Sequence, residues 1–198
     1  SISITAFTEG MMEDFGIRNQ SDLQNLIPAT VILPYDAAIR GVGRNFRSLG
    51  GDPGISTYMN GVYSEDLYTA TIGSFWDIKR IEILRGPQGT LYGRNAIGGA
   101  MNFIYNEPTQ EFEGAFKVIG GTFDTVDSYG MLSGAIVDDL LAGRLSISNR
   151  THDGYLAEAG TGPDLDSGKE RNVAAQLLLT PRDDFQVKLR YNCLLYTS

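Results

Sequence analysis

Histidine and cysteine are almost absent from this chain of 198 residues, which has one of each, His152 and Cys193. A single cysteine excludes a disulfide bond within the chain. The two residues together are too few for a zinc site built from histidine and cysteine ligands, which needs about four. We therefore expect neither a metal site nor a bound cofactor.

An excess of basic residues is also lacking. Lysine and arginine number 16 while aspartate and glutamate number 24, which gives a formal net charge of -8 at pH 7. A general nucleic-acid binder needs a basic face to neutralise phosphates. The charge balance therefore argues against that class of function, and we expect no nucleic-acid partner.

Long apolar runs are missing as well, because glycine, serine, aspartate or arginine interrupts each of them. None approaches the roughly 20 residues of a membrane-spanning helix. Strands of an outer-membrane barrel alternate in hydrophobicity and would not produce such a run. Residues 1–4 include neither a starting methionine nor the basic region and apolar core of a signal peptide. We expect the chain to begin inside a larger protein.

Motifs of common enzyme and nucleotide-binding sites are not present. There is no G-x-S-x-G nucleophile motif. Residues 89–94 contain glycines but lack the spacing and the Lys-Ser/Thr pair of a phosphate-binding loop. Residues 41–46 end in Phe46, where a dinucleotide-binding fingerprint requires its third glycine. We therefore predict that the protein is not an enzyme.

Residues 1–110 predict a mixed α/β region made of short elements. Thr8 is suited to cap a helical turn that follows it, and Ser21 to cap a second helix that Pro28 ends. The pair Asn60-Gly61 is a strong signal for a type I′ turn. The predicted strands cover residues 1–5, 31–33, 38–40, 55–59 and 78–84, and the last of them has Ile81 and Ile83 on one face.

Residues 112–198 change to a period of two, which is typical of half-buried strands. Tight turns at 138–139 and 181–184 alternate with a polar loop at about 152–171. This arrangement suits an outer-membrane barrel, but the alternation alone is equally expected of a soluble β-sandwich with one solvated face. The alternation breaks at Cys193, so the last six residues stand apart from the predicted strand.

Three segments carry a family resemblance: IRGVG at 39–43, YMNGVY at 58–63 and DIKRIEILRGPQGTLYGRNAIGGAMNFI at 77–104. Their order and spacing resemble the plug-domain signature of TonB-dependent receptors, and DLQNLIPAT at 22–30 is similar to the family's early plug helix. One departure is Asn60, where the family more often has aspartate, but asparagine favours the same turn. The signature residues are Arg40, Gly41, Gly61, Glu82, Arg85, Gly86, Pro87, Gly89, Tyr92, Gly93, Gly98 and Gly99.

The resemblance implies a fold of two parts. Residues 1–110 are expected to form an α+β plug domain, and residues 111–198 the first antiparallel strands of a transmembrane β-barrel. A membrane strand takes about 9–11 residues, so the second part provides about four or five strands. A plugged transporter barrel needs about 22. We therefore expect the barrel to be incomplete in this chain, which by itself would transport nothing.

The resemblance also implies a function, TonB-dependent active uptake of a scarce substrate, above all a ferric siderophore, across the bacterial outer membrane. The implied partners are TonB with its inner-membrane energising complex, a small-molecule or metal-chelate substrate, and outer-membrane lipid. The alternative function is a soluble β-rich binding or adhesion module. The residues expected to face the substrate are Arg44, Asn45, Phe46, Arg47, Tyr63 and Tyr68. Arginine suits an anionic chelate; the alternative role for these residues is to bond plug to barrel or to meet solvent.

Overall fold

The computed structural model describes most of the chain. The described residues are 3–33, 36–43, 53–64, 74–87, 89–93, 95–154 and 167–197. The chain divides into two compact units, Ser1–Asn106 and Glu107–Ser198. Within the described ranges, no helix has both the length and the apolar character required to cross a membrane.

Short strands and helices alternate in the first unit, as expected for an α+β plug domain. In chain order the strands are β1 (Ser3–Thr8), β2 (Thr30–Leu33), β3 (Asp36–Ile39), β4 (Ile55–Met59), β5 (Val62–Ser64), β6 (Ile78–Arg85) and β7 (Gly99–Tyr105). The helices are α1 (Glu9–Asp14), α2 (Gln20–Leu23) and α3 (Gly89–Tyr92). One sheet has the order β1-β6-β7-β4-β5, in which only β4 and β7 run parallel among the described strands, and β2 pairs with β3 separately.

The hydrophobic core lies on one face of the five-stranded sheet. Ile81 and Ile83 of β6 are completely buried on that face, which confirms the predicted pattern. They pair in register with Phe103 and Met101 of β7, and those two side chains are also completely buried. Burying a side chain of this size stabilises a fold by about 1.5–3 kcal/mol. These alternate positions therefore fix which face of the sheet points inward.

Capping side chains determine where the first two helices begin. The Thr8 hydroxyl oxygen accepts a hydrogen bond from the backbone N–H of Met11, which confirms Thr8 as the N-cap of α1. The predicted cap of α2, Ser21, is wrong, because it lies inside the helix. Asn19 caps α2 instead, since its Oδ1 accepts from the N–H of Asp22 while Asp22 Oδ2 accepts from the N–H of Asn19. This reciprocal pair is a capping box.

The second unit is an antiparallel sheet in which each described strand pairs with the next one along the chain. Its strands are β8 (Glu113–Gly120), β9 (Val126–Val137), β10 (Leu141–His152), β11 (Gly168–Arg182) and β12 (Phe185–Thr197). They confirm the predicted run of antiparallel barrel strands. The predicted loop at 152–171 is too long at its second end, because residues 168–171 already pair with residues 149–152 of β10.

The two faces of this sheet differ in both polarity and burial. One face exposes large apolar side chains, including Phe116 at 77% and Leu189 at 61%. The other face buries polar side chains, including Arg144 at 6% exposure and Ser148 at 3%. A soluble β-sandwich buries its apolar face, whereas the described strands expose theirs. An apolar outer face and a polar inner face are what strands of an outer-membrane barrel present.

The last strand, β12, extends further than the sequence pattern predicts. Pairing with β11 continues as far as Thr197, which faces Lys169, so the predicted break at Cys193 is wrong. The apolar row of β12 continues through Cys193 to Leu195, two residues further along the same face. The alternation only looks broken because Leu194 places an apolar side chain on the polar face, opposite Asn172 in register.

Candidate functional site

The signature pair Asn60-Gly61 joins β4 to β5 in a type I′ turn. Both residues have positive φ, 49° and 79°, and the flanking residues Met59 and Val62 pair across the turn. Positive φ at both central positions defines this turn type, so the prediction is confirmed. The Asn60 side chain also reaches β7, because its Oδ1 accepts a hydrogen bond of 2.8 Å from the backbone N–H of Tyr105.

The signature pair Arg40-Gly41 forms a second turn of the same kind after β3. The φ angles are 55° and 78°, and Ile39 and Val42 exchange two backbone hydrogen bonds of 3.0 Å across the turn. The N–H of Arg40 donates to the Ala29 carbonyl oxygen at 2.7 Å. A non-glycine residue with positive φ is uncommon. These main-chain hydrogen bonds hold Arg40 in that conformation while the residue itself is exposed.

Glu82, in the middle of β6, connects two neighbouring side chains. Its Oε1 lies 2.7 Å from Nε of Arg80, and its Oε2 accepts a hydrogen bond of 3.2 Å from Nδ2 of Asn102 on β7. Oδ1 of Asn102 accepts in turn from the N–H of Gly61 at 3.2 Å. The ion pair is partly exposed and is worth at most about 1 kcal/mol. The larger contribution of Glu82 is to connect the β4–β5 turn to the centre of the sheet.

The crossover segment, residues 86–98, carries the chain from β6 to β7. Its ends are joined by a hydrogen bond of 2.9 Å from the N–H of Gly86 to the carbonyl oxygen of Gly98. Gly86 has a φ of 103°, which residues with a Cβ atom rarely adopt. Gly89 begins α3, and Gly93, with a φ of 72°, ends the helix by donating to the Gly89 carbonyl oxygen at 3.0 Å.

Glycines also let the main chain pack closely where the crossover segment meets β7. A Cβ atom on Gly98 would lie 2.9 Å from the Val42 carbonyl oxygen, and one on Gly99 would lie 2.2 Å from the Leu84 carbonyl oxygen. Both distances are well below the optimal separation of non-bonded atoms. Arg85, the last residue of β6, is half-buried and pairs with Gly99 in register. These two glycine positions admit no larger residue unless the backbone shifts.

Three tyrosines and an asparagine form a cluster on the sheet face opposite the main core. The ring of Tyr58 lies 5.9 Å from that of Tyr63 and 4.9 Å from that of Tyr92, between centroids. The Tyr58 hydroxyl donates to the Tyr92 carbonyl oxygen, and Nδ2 of Asn95 donates to the Tyr63 hydroxyl oxygen at 3.1 Å. Burial raises the pKa of the Tyr92 phenol above 10.0, and the nearby Glu82 carboxylate and Tyr58 raise it further.

Most of the predicted substrate-facing residues lie outside the described part of the chain. Those outside it are Arg44, Asn45, Phe46, Arg47 and Tyr68. Tyr63 is described and is half-buried, and its hydroxyl is engaged by Asn95 within the first unit. The exposed signature residues are Arg40, Gly41, Gly61, Pro87, Gly89 and Gly93. The structure places Tyr63 in the cluster with Tyr58 and the signature residue Tyr92.

Four further residues contribute to this site without a distinctive sequence signal: Asn95, Asn102, Gly43 and Gly54. Asn95 is buried with a φ of 67°, and asparagine is among the residue types that tolerate this conformation. A Cβ atom on Gly54 would lie 2.9 Å from the Gly43 carbonyl oxygen. The available signal was that both glycines flank a glycine-rich stretch, which predicts a loop but not a backbone contact.

The polar face of the second unit holds its charges in cross-strand pairs. Arg150 Nε lies 3.6 Å from Asp127 Oδ2 on β9, and Arg150 Nη1 lies 3.3 Å from Glu170 Oε2 on β11. These residues are direct register partners. Arg144 Nη1 lies 3.4 Å from Glu113 Oε2. Buried charges are tolerated when they are paired. Among the described residues, no group of three or more His, Cys, Asp or Glu is placed to hold a metal ion.

Comparison with known protein families gives one match for the first unit. The model of the TonB-dependent Receptor Plug Domain matches residues 1–100. The matched range contains both type I′ turns, Glu82, the whole crossover segment, and strands β4 and β5 with Tyr58 and Tyr63. The family match and the local geometry therefore concern the same part of the chain.

Known relatives extend the similarity into the second unit. The pesticin receptor of Yersinia pestis is 31% identical over 192 residues, which cover 92% of this chain and 28% of the relative. The ferripyoverdine receptor of Pseudomonas aeruginosa is 31% identical over 141 residues, 69% of this chain and 17% of the relative. The crystal structure of the ferric yersiniabactin uptake receptor from Yersinia pestis has a TM-score of 0.84 at 26% identity, over 96% of this chain and 31% of its own. The chain spans less than a third of each relative.

Proposed function

Because this chain belongs to the TonB-dependent receptor plug-domain family, we propose that it is the plug and the first barrel strands of an outer-membrane receptor that takes up a ferric siderophore. In this proposal residues 1–110 supply the plug and residues 111–198 supply the barrel strands. The match of residues 1–100 to the plug model carries the proposal. The names of the ferripyoverdine and ferric yersiniabactin receptors support the substrate class.

The second unit supports the membrane part of the proposal. Phe116, Leu189 and Tyr191 lie on the apolar face, and each of these side chains is more than half exposed. Hydrocarbon lipid is the environment in which such a face is favourable. The described strands β9 to β12 have 12 to 15 residues, and a membrane strand needs only about 9–11. Lipid on one side and a polar interior on the other account for both faces.

The proposed cycle needs no covalent chemistry. The substrate binds from outside, TonB and its inner-membrane energising complex pull on the receptor, and the plug rearranges to let the substrate through. The plug supplies a closed gate, which its buried sheet core makes stable. The receptor acts as a transporter and not as an enzyme, and it needs no resident cofactor.

The substrate-facing residues are also part of the proposal. Arg44 and Arg47 supply positive charge, and Asn45, Phe46 and Tyr68 supply hydrogen-bonding and aromatic groups. The planar guanidinium of arginine binds carboxylates and other anionic oxygen groups in a bidentate manner. A ferric siderophore with net negative charge fits that chemistry.

Uptake in a bacterium that lacks its own siderophore receptors tests the proposal. The full-length receptor is expressed there, and the cells are offered radiolabelled iron bound to yersiniabactin, to pyoverdine, or to a catecholate siderophore. We expect accumulation of iron from at least one of these chelates, and none in a matched strain without TonB. The control for expression is the amount of receptor in the outer-membrane fraction.

Two results would overturn the proposal. One is a receptor that accumulates in the soluble fraction, which would favour a soluble binding or adhesion module. The other is a correctly inserted receptor whose uptake is the same with and without TonB. Failure with all three chelates, in the presence of a properly inserted receptor, would exclude these three as its substrates.

A further inference from the structure

The crossover segment is attached to the β4–β5 hairpin at two separate points. The first is the hydrogen bond from the Tyr58 hydroxyl to the carbonyl oxygen of Tyr92, the last residue of α3. The second is the hydrogen bond of 3.1 Å from Asn95 Nδ2 to the Tyr63 hydroxyl oxygen. Tyr58 and Tyr63 are direct register partners across the hairpin. Both hydrogen bonds to the crossover segment therefore come from two neighbouring side chains of one hairpin.

The crossover segment depends on such contacts because its own secondary structure is short. α3 has 4 residues, whereas isolated helices shorter than about 12–15 residues are marginal in water. Gly93 and Asn95 follow it with φ angles of 72° and 67°, so the helix cannot continue. Most helical stability in proteins comes from tertiary packing. For α3, Tyr92 provides such packing, because its ring lies against that of Tyr58.

Burial makes the two hydroxyl contacts consequential. Tyr58 and Asn95 are both buried, and a buried polar group that loses its partner pays the full desolvation penalty. Tyr58 also packs with Leu84 and Ala100 of the sheet, which fixes the position of its ring. The hydroxyl at the end of a fixed ring selects one position for the Tyr92 carbonyl group.

We propose that Tyr58 and Tyr63 are positioning residues that form a latch, defined as the hydrogen bonds Tyr58–Tyr92 and Tyr63–Asn95, which fixes the crossover segment on the β4–β5 hairpin. The inference rests on the proposed function, because the crossover segment is part of the plug. In this proposal Tyr63 acts on the crossover segment through Asn95. The substrate-facing role that the sequence suggested for Tyr63 stays a prediction.

Hydrogen–deuterium exchange of the full-length receptor in detergent, without substrate, tests the latch. Tyr58→Phe and Tyr63→Phe each remove one hydroxyl and keep the ring. Because both hydrogen bonds hold the same segment, each variant should speed amide exchange throughout residues 89–98. The expected increase is about fivefold, which corresponds to the loss of one hydrogen bond. Tyr191→Phe is the matched control, because that ring is exposed on β12, and it should leave exchange in the segment unchanged.

Substitutions at Asn95 separate the hydrogen bond from the backbone conformation. Asn95→Gly tolerates the φ of 67° but removes the donor, so it should resemble Tyr63→Phe. The double variant Tyr63→Phe/Asn95→Gly should exchange no faster than the faster single variant, because both remove the same bond. Asn95→Asp also tolerates positive φ and can accept from the Tyr63 hydroxyl. We expect it to retain slow exchange, close to that of the wild type.

Two outcomes would overturn the latch. In the first, each tyrosine variant speeds exchange only beside its own partner, which would make the contacts independent. In the second, Asn95→Gly speeds exchange while Tyr63→Phe does not, which would assign the effect to the backbone at residue 95 and not to the hydrogen bond. The experiment contains no substrate, so a receptor that fails every uptake assay would refute the proposed function and still report on the latch.

Discussion

The backbone N–H of Gly98 donates a hydrogen bond of 2.9 Å to the carbonyl oxygen of Gly54. A Cβ atom on Gly98 would lie 2.9 Å from the Val42 carbonyl oxygen, and a Cβ atom on Gly54 would lie 2.9 Å from the Gly43 carbonyl oxygen. Parts of the chain that are distant in sequence therefore touch through their main chains, with no side chain between them. Added methyl groups are expected to have large effects at such positions and small effects at glycines in open space.

Gly99→Ala should destabilise the plug by about 2–4 kcal/mol. The new Cβ atom would lie 2.2 Å from the Leu84 carbonyl oxygen, which belongs to the paired strand β6. Gly89→Ala is the matched control, because the space around Gly89 is open and alanine favours a helix, so its effect should stay within about 1 kcal/mol. Thermal unfolding of the purified full-length receptor measures both. Equal unfolding midpoints would contradict the packing argument.

Gly86→Val should impair uptake and make the plug more sensitive to protease. Gly86 has a φ of 103°, and a β-branched residue in that conformation is strained. Gly120→Val is the control: a Cβ there meets nothing within 4 Å, and valine favours a strand such as β8. Uptake of radiolabelled iron and limited trypsin digestion compare the two variants. Wild-type uptake and digestion in Gly86→Val would count against a role for this turn.

The double variant Arg44→Ala/Arg47→Ala should bind an anionic ferric siderophore more weakly, by about tenfold, while inserting normally in the membrane. The loss should shrink as salt concentration rises, since salt screens exposed charges. Lys79→Ala/Lys169→Ala removes the same charge from two exposed positions and should leave affinity unchanged. Equilibrium binding to the full-length receptor at low and high salt measures the difference. Equal affinities for both double variants would exclude the two arginines from the site.

Ionisation of the Tyr92 phenol should lower the stability of the receptor at alkaline pH. Burial, aided by Glu82 and Tyr58, raises the pKa of Tyr92 above 10.0 in the folded plug, so the unfolded chain loses this proton first. The stabilising contribution is complete below about pH 10 and is lost as pH rises through the folded-state pKa. Tyr92→Phe should therefore flatten the decline in stability above that pH, whereas Tyr191→Phe should not. Urea unfolding on both sides of about pH 10 checks this, and identical slopes for both variants would refute it.

Arg150→Ala should destabilise the second unit by about 1–3 kcal/mol. Its carboxylate partner Asp127 is 2% exposed, and the substitution would leave this buried group without a cation beside it. Lys188→Ala breaks the 2.7 Å ion pair with Glu107, in which both side chains are about half exposed, and should change stability by less than about 1 kcal/mol. Urea unfolding of the full-length receptor separates the two cases. A larger loss of stability in Lys188→Ala than in Arg150→Ala would contradict the prediction that the buried ion pair matters more.

Contacts between near neighbours in the chain were largely predictable from the sequence. Asn60-Gly61 and the Thr8 cap depend on groups within a few residues, and both form as expected. The α2 cap was predicted at Ser21, two positions after the observed cap Asn19. Serine and asparagine are both good capping residues, and only the reciprocal hydrogen bonds with Asp22 identify Asn19. A local rule fails where two neighbouring residues satisfy it.

Contacts between distant residues could not be predicted in this way. Tyr63 meets Asn95 across 32 positions and Gly61 meets Asn102 across 41, and no periodic pattern encodes such pairs. The alternation in the second unit had a related ambiguity, because a barrel strand and a sandwich strand share a period of two. Burial distinguishes the two faces, since Arg144 on the polar face is buried while the apolar face is exposed. The arrangement of strands decides which face is inside.

The first strand of the plug has a partner far along the chain. Ser3 pairs with Arg85 and Thr8 with Arg80, whereas the strands of the second unit each pair with their immediate neighbour. The entropy lost on closing a loop grows with its length, and non-local pairing slows folding. During synthesis β1 must therefore wait for β6 before it has a sheet to join, so it folds later than its place ahead of β2 to β7 in the chain would suggest.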